Sequence, residues 1–207
     1  MILDRTASLG RDLREILEGV IAGGGRLVQF REKEWSSGQC LPLLEDLRQR
    51  AKQVGIPFVV NDRLDLALAV EADGFHVGHD DLPARVARRL LPSSMFLGVS
   101  THSLEQARQA EEDGADYIAV GSVFPTATKP EFHLVGLDLL TTVRRQVKAP
   151  LVAIGGITPD NAAEVIEAGA DGVAVISAVC GARDPAAATR LLLERIRPSL
   201  TARGKRL

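Results

Sequence analysis

A chain of 207 residues, 45% hydrophobic but only 4% aromatic, is long enough for one domain with an aliphatic core and too short for two of ordinary size. Its formal net charge of -2 lacks the basic excess that binding to a nucleic-acid backbone requires. No apolar run nears the roughly 20 residues of a membrane helix, no secretory pattern opens the chain, and Cys40 and Cys180 lie outside any metal-ligand spacing; a cytoplasmic, reducing setting is expected.

In chain order, β-type and helix-type segments alternate from end to end. A stub of strand at 2–3 precedes a helical pattern over 9–22, strand 27–30 precedes helix 37–54, strand 58–60 precedes helix 64–71, and strand 74–77 precedes helix 84–91. The second half repeats the scheme: 96–99 then 103–113, 117–120 then 137–147, 151–154 then 159–168, and 172–175 then 184–196. The strands are apolar throughout, as parallel strands buried on both faces must be. Phrases such as Ala22-Gly-Gly-Gly25, Asp113-Gly-Ala-Asp116 and Ala168-Gly-Ala-Asp171 stop a helix and lead into the next strand. Eight units of about 25 residues imply a single-domain α/β chain, a (β/α)8 TIM barrel over 1–198 with a short first strand. A doubly wound open sheet is the rival, disfavoured by the regular connections. The stub suggests a natural start upstream of Met1, and 199–207 reads as a basic, fraying tail with Arg203, Lys205 and Arg206.

In such a barrel, function belongs to the loops after each strand. Gln29, Arg31 and Lys33 alternate along an extended segment, so their side chains share one side and suit a polyanion. Asn61 and Asp62 follow the third strand, Asp80 and Asp81 the fourth, Ser100 and His102 the fifth. Asp62 and Asp81 are hard oxygen ligands beside cations, a set that suits one Mg2+ shared with substrate phosphates; otherwise they cap helices. His76 lies within a strand and His79 in a glycine turn, which argues against zinc, and His102 beside Ser103 reads as a helix-start residue. Gly155-Gly156, the helix start after them and Ser177 form a second, milder anion site. Two phosphate-sized sites without a nucleophilic triad point to departure of a diphosphate and capture by a second, phosphorylated molecule.

The motifs Gln29-x-Arg31-Glu32-Lys33, Asn61-Asp62, Asp73-Gly74-x-His76-x-Gly78-x-x-Asp81-Leu82, Gly98-x-Ser100-x-His102, Gly121-x-x-Phe124-Pro125-Thr126-x-Thr128-Lys129, Ile154-Gly155-Gly156-Ile157 and Ile176-Ser177-Ala178 resemble, in this order, those of the thiamine-phosphate synthase family. The resemblance implies a (β/α)8 transferase of thiamine biosynthesis that couples an aminopyrimidine methyl diphosphate with a thiazole phosphate, releasing diphosphate. It implies pyrimidine-diphosphate contacts from Gln29, Phe30, Arg31, Glu32, Lys33, Asn61, Ser100 and Lys129, with Arg31, Lys33 and Lys129 in the catalytic role. Thiazole-phosphate contacts would come from Thr126, Ala127, Thr128, Gly156, Ile176 and Ser177, and one Mg2+ per subunit from Asp62 and Asp81. The expected partners are small phosphorylated substrates, with neither nucleic acid nor membrane, and a homo-oligomer is left open. His79 departs from the family's usual glutamine. The alternatives are a sister thiazole tautomerase, which carries histidine where this chain has Ser122, and a non-catalytic phosphate-binding barrel.

Overall fold

The computed structural model describes residues 1–126 and 133–205. Among them, eight parallel strands form one sheet in sequential order: β1 (Ile2–Asp4), β2 (Val28–Arg31), β3 (Phe58–Asn61), β4 (Gly74–Val77), β5 (Phe96–Thr101), β6 (Tyr117–Val120), β7 (Leu151–Ile154) and β8 (Gly172–Ala174). The Ile2 N–H donates to Val175 O at 3.0 Å, joining β1 to the chain leaving β8 and closing the barrel. Seven strands lead to α1 (Leu13–Ala22), α2 (Ser37–Gln53), α3 (Leu64–Ala69), α4 (Ala84–Leu90), α5 (Leu104–Glu112), α6 (Gly136–Gln146) and α7 (Ala162–Glu167), and β8 leads to α8 (Ser177–Cys180) and α9 (Pro185–Ala202).

Alternation along each strand divides the side chains into two sets. Val28, Phe30, Phe58, Val60, Phe75, Leu97 and Ile118 point outward and pack with Leu17, Val20, Leu44 and Leu47 of the helices in one core. Each such burial contributes about 1.5–3 kcal/mol, and this layer holds helix to barrel. The other set, including Gln29, His76, Ser100, Tyr117 and Ala119, lines the barrel's interior. Although β1 has three residues, all are buried, and Ile2, Leu3 and Asp4 lie in register with Gln29, Phe30 and Arg31.

The elements depart from expectation at three places. Helix α1 begins at Leu13, not at 9, because Leu9 adopts φ 55° after a 3-10 turn at Thr6–Ser8 and the Asp12 side chain caps the helix through the Arg14 N–H. Helix α8 has four residues, too few to show a period. Helix α9 continues past Pro198 to Ala202, with Leu200 buried against the core, where a helix end at 196 and a tail from 199 were expected. A proline disfavours helix before it, but the buried Leu200 outweighs that preference. The tail is tied down as well: Arg203 donates to Ile166 O at 2.8 Å and Gly169 O at 3.1 Å, and Lys205 pairs with Asp171. No helix among the described residues is long and apolar enough to cross a membrane.

Candidate active site

A cavity of about 1330 Å³ opens at the carboxyl ends of the strands and continues down the barrel, where the small inward residues Gly172 and Ala174 leave room. The strand-end residues Arg31, Lys33, Asn61, Asp62, Asp81 and Ser100 all line it.

Two acid–base contacts organise its cationic side. Arg31, at the end of β2, pairs with the buried Asp4 at the end of β1, and Asp4 also accepts the Ala7 N–H at 3.0 Å. Lys33 follows on the same side of the chain. Its ammonium pairs with Asp62 and stands 4.0 Å from Asp81, so the two carboxylates share one cation. Asp62 has φ 60°, a left-handed conformation that costs a non-glycine residue about 1–2 kcal/mol. It is held there by β4, because its N–H donates to His76 O at 2.8 Å. Asp81 is placed by the Gly78 N–H, which donates to its Oδ2 at 2.8 Å. Burial, reinforced by the hydrogen bond with Asp81, raises the Asp62 pKa to about 6. Burial opposes ionisation of Asp81 too, yet its bonds to Asp62 and Gly78 leave its pKa below the ordinary value.

Among the described residues no group of three or more histidine, cysteine or acidic side chains converges. A cation here would therefore draw on the two carboxylates and on substrate and water oxygens, the usual arrangement for Mg2+. The residues fit it: the Lys33 ammonium already stands as a positive charge against Asp62 and near Asp81.

Phe30 and Glu32, expected among the substrate contacts, face away from this cavity. Phe30 lies in the outer core. Glu32 accepts Arg5 Nε and the Glu34 N–H, each at 2.7 Å, while the Arg5 guanidinium lies 5.0 Å from the centre of the Trp35 ring. The alternation that points Gln29, Arg31 and Lys33 inward sends 30 and 32 outward, so Glu32 shapes the loop from behind.

The floor is polar and ordered. His76 Nε2 lies 2.8 Å from Ser100 Oγ, and its Nδ1 lies 2.8 Å from the Tyr117 hydroxyl. Burial lowers the His76 pKa to about 4, so the ring is neutral at physiological pH. Burial raises that of Tyr117, opposed in part by hydrogen bonding with the Gln29 side chain. Ser103 caps α5, with His102 just before it and the His102 ring bonded to Gly121 O.

On the far side of the mouth, the Val123 N–H donates to Ile154 O at 2.9 Å and the Phe124 N–H to Gly155 O at 3.1 Å. The loop after β6 thus lies directly on the glycine turn after β7. Gly156 has φ 63°, and a Cβ there would meet Phe124 Cβ at 2.8 Å; the glycine fits the loop as much as any ligand. Asn161 braces the turn, accepting the Thr158 N–H at 2.8 Å and donating to Gly156 O at 3.0 Å. Thr126, Gly156, Ile176 and Ser177 line the cavity, and Ser177 opens α8, whose leading N–H groups have no intrahelical acceptor. Ala127, Thr128 and Lys129 lie outside the described residues. The residues that strand-end reasoning missed are Asp4, His76 and Tyr117. Asp4 ends a strand as Asp62 follows one, and the same rule applied to the stub strand finds it.

The chain matches the family model described as thiamine monophosphate synthase over residues 1–179. It is 53% identical over 197 residues to a thiamine-phosphate synthase of Moorella thermoacetica, covering 95% of this chain and 92% of that protein. With one from Chloroflexus aurantiacus it shares 50% identity over 193 residues, 93% and 89% of the two chains. In structure it resembles a thiamine phosphate pyrophosphorylase from Pyrococcus furiosus, with TM-score 0.88 and 40% identity over 96% of this chain and 95% of that one. A 3-hexulose-6-phosphate synthase, at TM-score 0.70 and 18% identity over 94% of this chain and 95% of that one, shares the fold alone.

Proposed function

The chain belongs to the thiamine monophosphate synthase family, whose members are transferases, and from that premise we propose that it joins 4-amino-2-methyl-5-(diphosphomethyl)pyrimidine to 4-methyl-5-(2-phosphoethyl)thiazole, or to its carboxylated precursor with loss of CO2, giving thiamine phosphate and diphosphate. The observation that carries the reading is the cluster of Arg31, Lys33, Asp62 and Asp81, facing the Gly156 and Ser177 turns across one cavity.

The chemistry is dissociative. The pyrimidine methylene C–O bond breaks with its electron pair going to diphosphate, and the ring delocalises the positive charge left behind. The thiazole nitrogen lone pair then forms the new C–N bond. Because that nitrogen carries no proton, no general base is needed, in keeping with the absence of a nucleophile–base set from the motifs. Arg31 and Lys33 bind the diphosphate oxygens and stabilise charge that grows as it leaves, with Lys129 as the family's third cation. Asp62 and Asp81 would hold Mg2+, which when bound supplies further positive charge to the diphosphate. Lys33 must then release Asp62, a move that its half-exposed, flexible side chain allows. Gln29, Asn61 and Ser100 orient the pyrimidine. Thr126, Thr128 and the backbone at Gly156, Ile176 and Ser177 hold the thiazole phosphate, and positioning the pair removes much of the entropic barrier.

Asp62→Ala and Lys33→Ala are expected to lower turnover at least about tenfold, the effect of losing about 1.4 kcal/mol of transition-state stabilisation. Isothermal calorimetry should also show weaker Mg2+ binding in the Asp62 variant. Unchanged rates in both folded variants would overturn this placement of the diphosphate.

A further inference from the structure

The two cations at the end of β2 are held in different ways. The Lys33 side chain is 49% exposed and that of Arg31 26%, and behind Arg31 stands Asp4, only 4% exposed. Asp4 and Arg31 share one register step of β1 and β2. Both oxygens of the Asp4 carboxylate are engaged: Oδ1 accepts the Ala7 N–H at 3.0 Å, and Oδ2 accepts Arg31 Nη1. One residue further along, the contact recurs on the outer face with the charges exchanged, where Arg5 Nε donates to Glu32 at 2.7 Å. Asp4-Arg5 and Arg31-Glu32 thus clamp the two strand ends together from inside and from outside.

A buried carboxylate is costly unless it is paired, so Asp4 keeps the Arg31 guanidinium in place whether or not a ligand is bound. The guanidinium is a rigid, planar fork of five donors. Its Nη1 can therefore stay on Asp4 while other N–H groups face the cavity, which Arg31 lines. A cation oriented in advance needs no ordering when an anion arrives, and donors fixed in this way stabilise developing charge most effectively. Asp4 also subtracts positive charge from the site, so its two effects on an anion have opposite signs. Orientation outweighs charge here, because the guanidinium stands between the carboxylate and the cavity and Ala7 already bonds the other oxygen.

We propose that Asp4 is a positioning residue for the diphosphate, acting through Arg31: it holds one arm of the guanidinium so that the rest of the fork meets the departing group. The identity of the anion rests on the function proposed above, whereas the hold on Arg31 rests on the β1–β2 clamp alone. Lys33, half-exposed and paired with Asp62, is the cation that moves; Arg31 is the one that stays.

The test is calorimetric binding of inorganic diphosphate with Mg2+ to wild type, Asp4→Asn, Arg31→Met and the double variant, with binding of the thiazole phosphate as a control for general damage. In Asp4→Asn the amide oxygen can still accept the Ala7 N–H, but its NH2 group sets a donor against the Arg31 donor. Diphosphate should bind at least about tenfold more weakly, while thiazole-phosphate affinity stays within about twofold. In the Arg31→Met background the same substitution should change diphosphate affinity by less than about twofold, because Asp4 acts through Arg31. Arg31→Lys tests the hold with Asp4 intact. An ammonium is a point charge, and one bound to Asp4 has no second arm for the ligand, so diphosphate should again weaken at least about tenfold. The proposal is overturned if Asp4→Asn binds diphosphate as well as or better than wild type, if its loss persists in full in the Arg31→Met background, or if Arg31→Lys keeps wild-type affinity. A merely structural role would weaken both ligands together and would not depend on Arg31. Failure of the functional reading shows differently, as an Arg31→Met variant that keeps its diphosphate affinity; the proposal then falls with it.

Discussion

Gly98→Ala is the sharpest perturbation of the floor. Gly98 pairs in register with Tyr117 of the adjacent strand, and a Cβ at 98 would lie closer than 3.0 Å to the Tyr117 Cζ, hydroxyl oxygen and Cε1. Tyr117 has little room to withdraw, since the His76 ring centroid is 5.5 Å away and that of Phe96 6.1 Å. Overpacking of this kind costs about 1–3 kcal/mol, and losing the His76–Tyr117 hydrogen bond adds about 1, for a total of roughly 2–4 kcal/mol. For a domain of this size that lowers the melting temperature on the order of 5–10 °C. Urea denaturation of Gly98→Ala in the wild-type and Tyr117→Leu backgrounds isolates the cause, because leucine lacks the three atoms that the new methyl would strike. The substitution should cost much less in the Tyr117→Leu background, with a coupling of about 2 kcal/mol. A cost below about 0.5 kcal/mol in wild type, or equal costs in the two backgrounds, would refute the reasoning.

Two further predictions concern stability away from the chemistry. The Thr189 hydroxyl is buried with no hydrogen-bond partner among the described residues, so Thr189→Val, which keeps the shape, should stabilise the fold by about 1 kcal/mol in chemical denaturation; a loss of stability would show that the hydroxyl is satisfied. Burial opposes ionisation of Glu32, but its bonds from the Glu34 N–H and from Arg5 hold its pKa below the ordinary glutamate value. A depressed carboxylate pKa gives stability that is present above the unfolded value and lost as pH falls through the folded one. Glu32→Gln should therefore be less stable than wild type at pH 7 and converge with it as acidification protonates the Glu32 carboxylate, as followed by thermal melts. Parallel acid profiles would refute that role.

Most of the barrel was legible because strands buried on both faces read as short apolar runs, and glycine-stopped helices punctuate them at a steady interval. What escaped lacked a period or contradicted a local rule. Helix α8 is four residues long, and Leu200 carries α9 past Pro198 by burial, which no local pattern displays. In the site, the inward direction of Gln29, Arg31 and Lys33 follows from alternation along one strand. The same alternation turns the side chains of Phe30 and Glu32, which belong to the same contiguous motif, away from the cavity. Contacts that depend on neighbouring strands could not be read locally: Lys33 meets Asp62 across β2 and β3, and His76 joins Ser100 to Tyr117 across β4, β5 and β6. Asp4 is a different case, since strand-end reasoning reaches it once a three-residue β1 is counted as a full stave.

The most direct test of the account is to incubate the purified chain with both phosphorylated substrates and Mg2+ and to follow thiamine phosphate by chromatography together with diphosphate by a coupled assay. Equal amounts of the two products, formed with Mg2+ and suppressed by EDTA, are predicted. A folded chain that makes no thiamine phosphate, or that makes as much in EDTA, would contradict it.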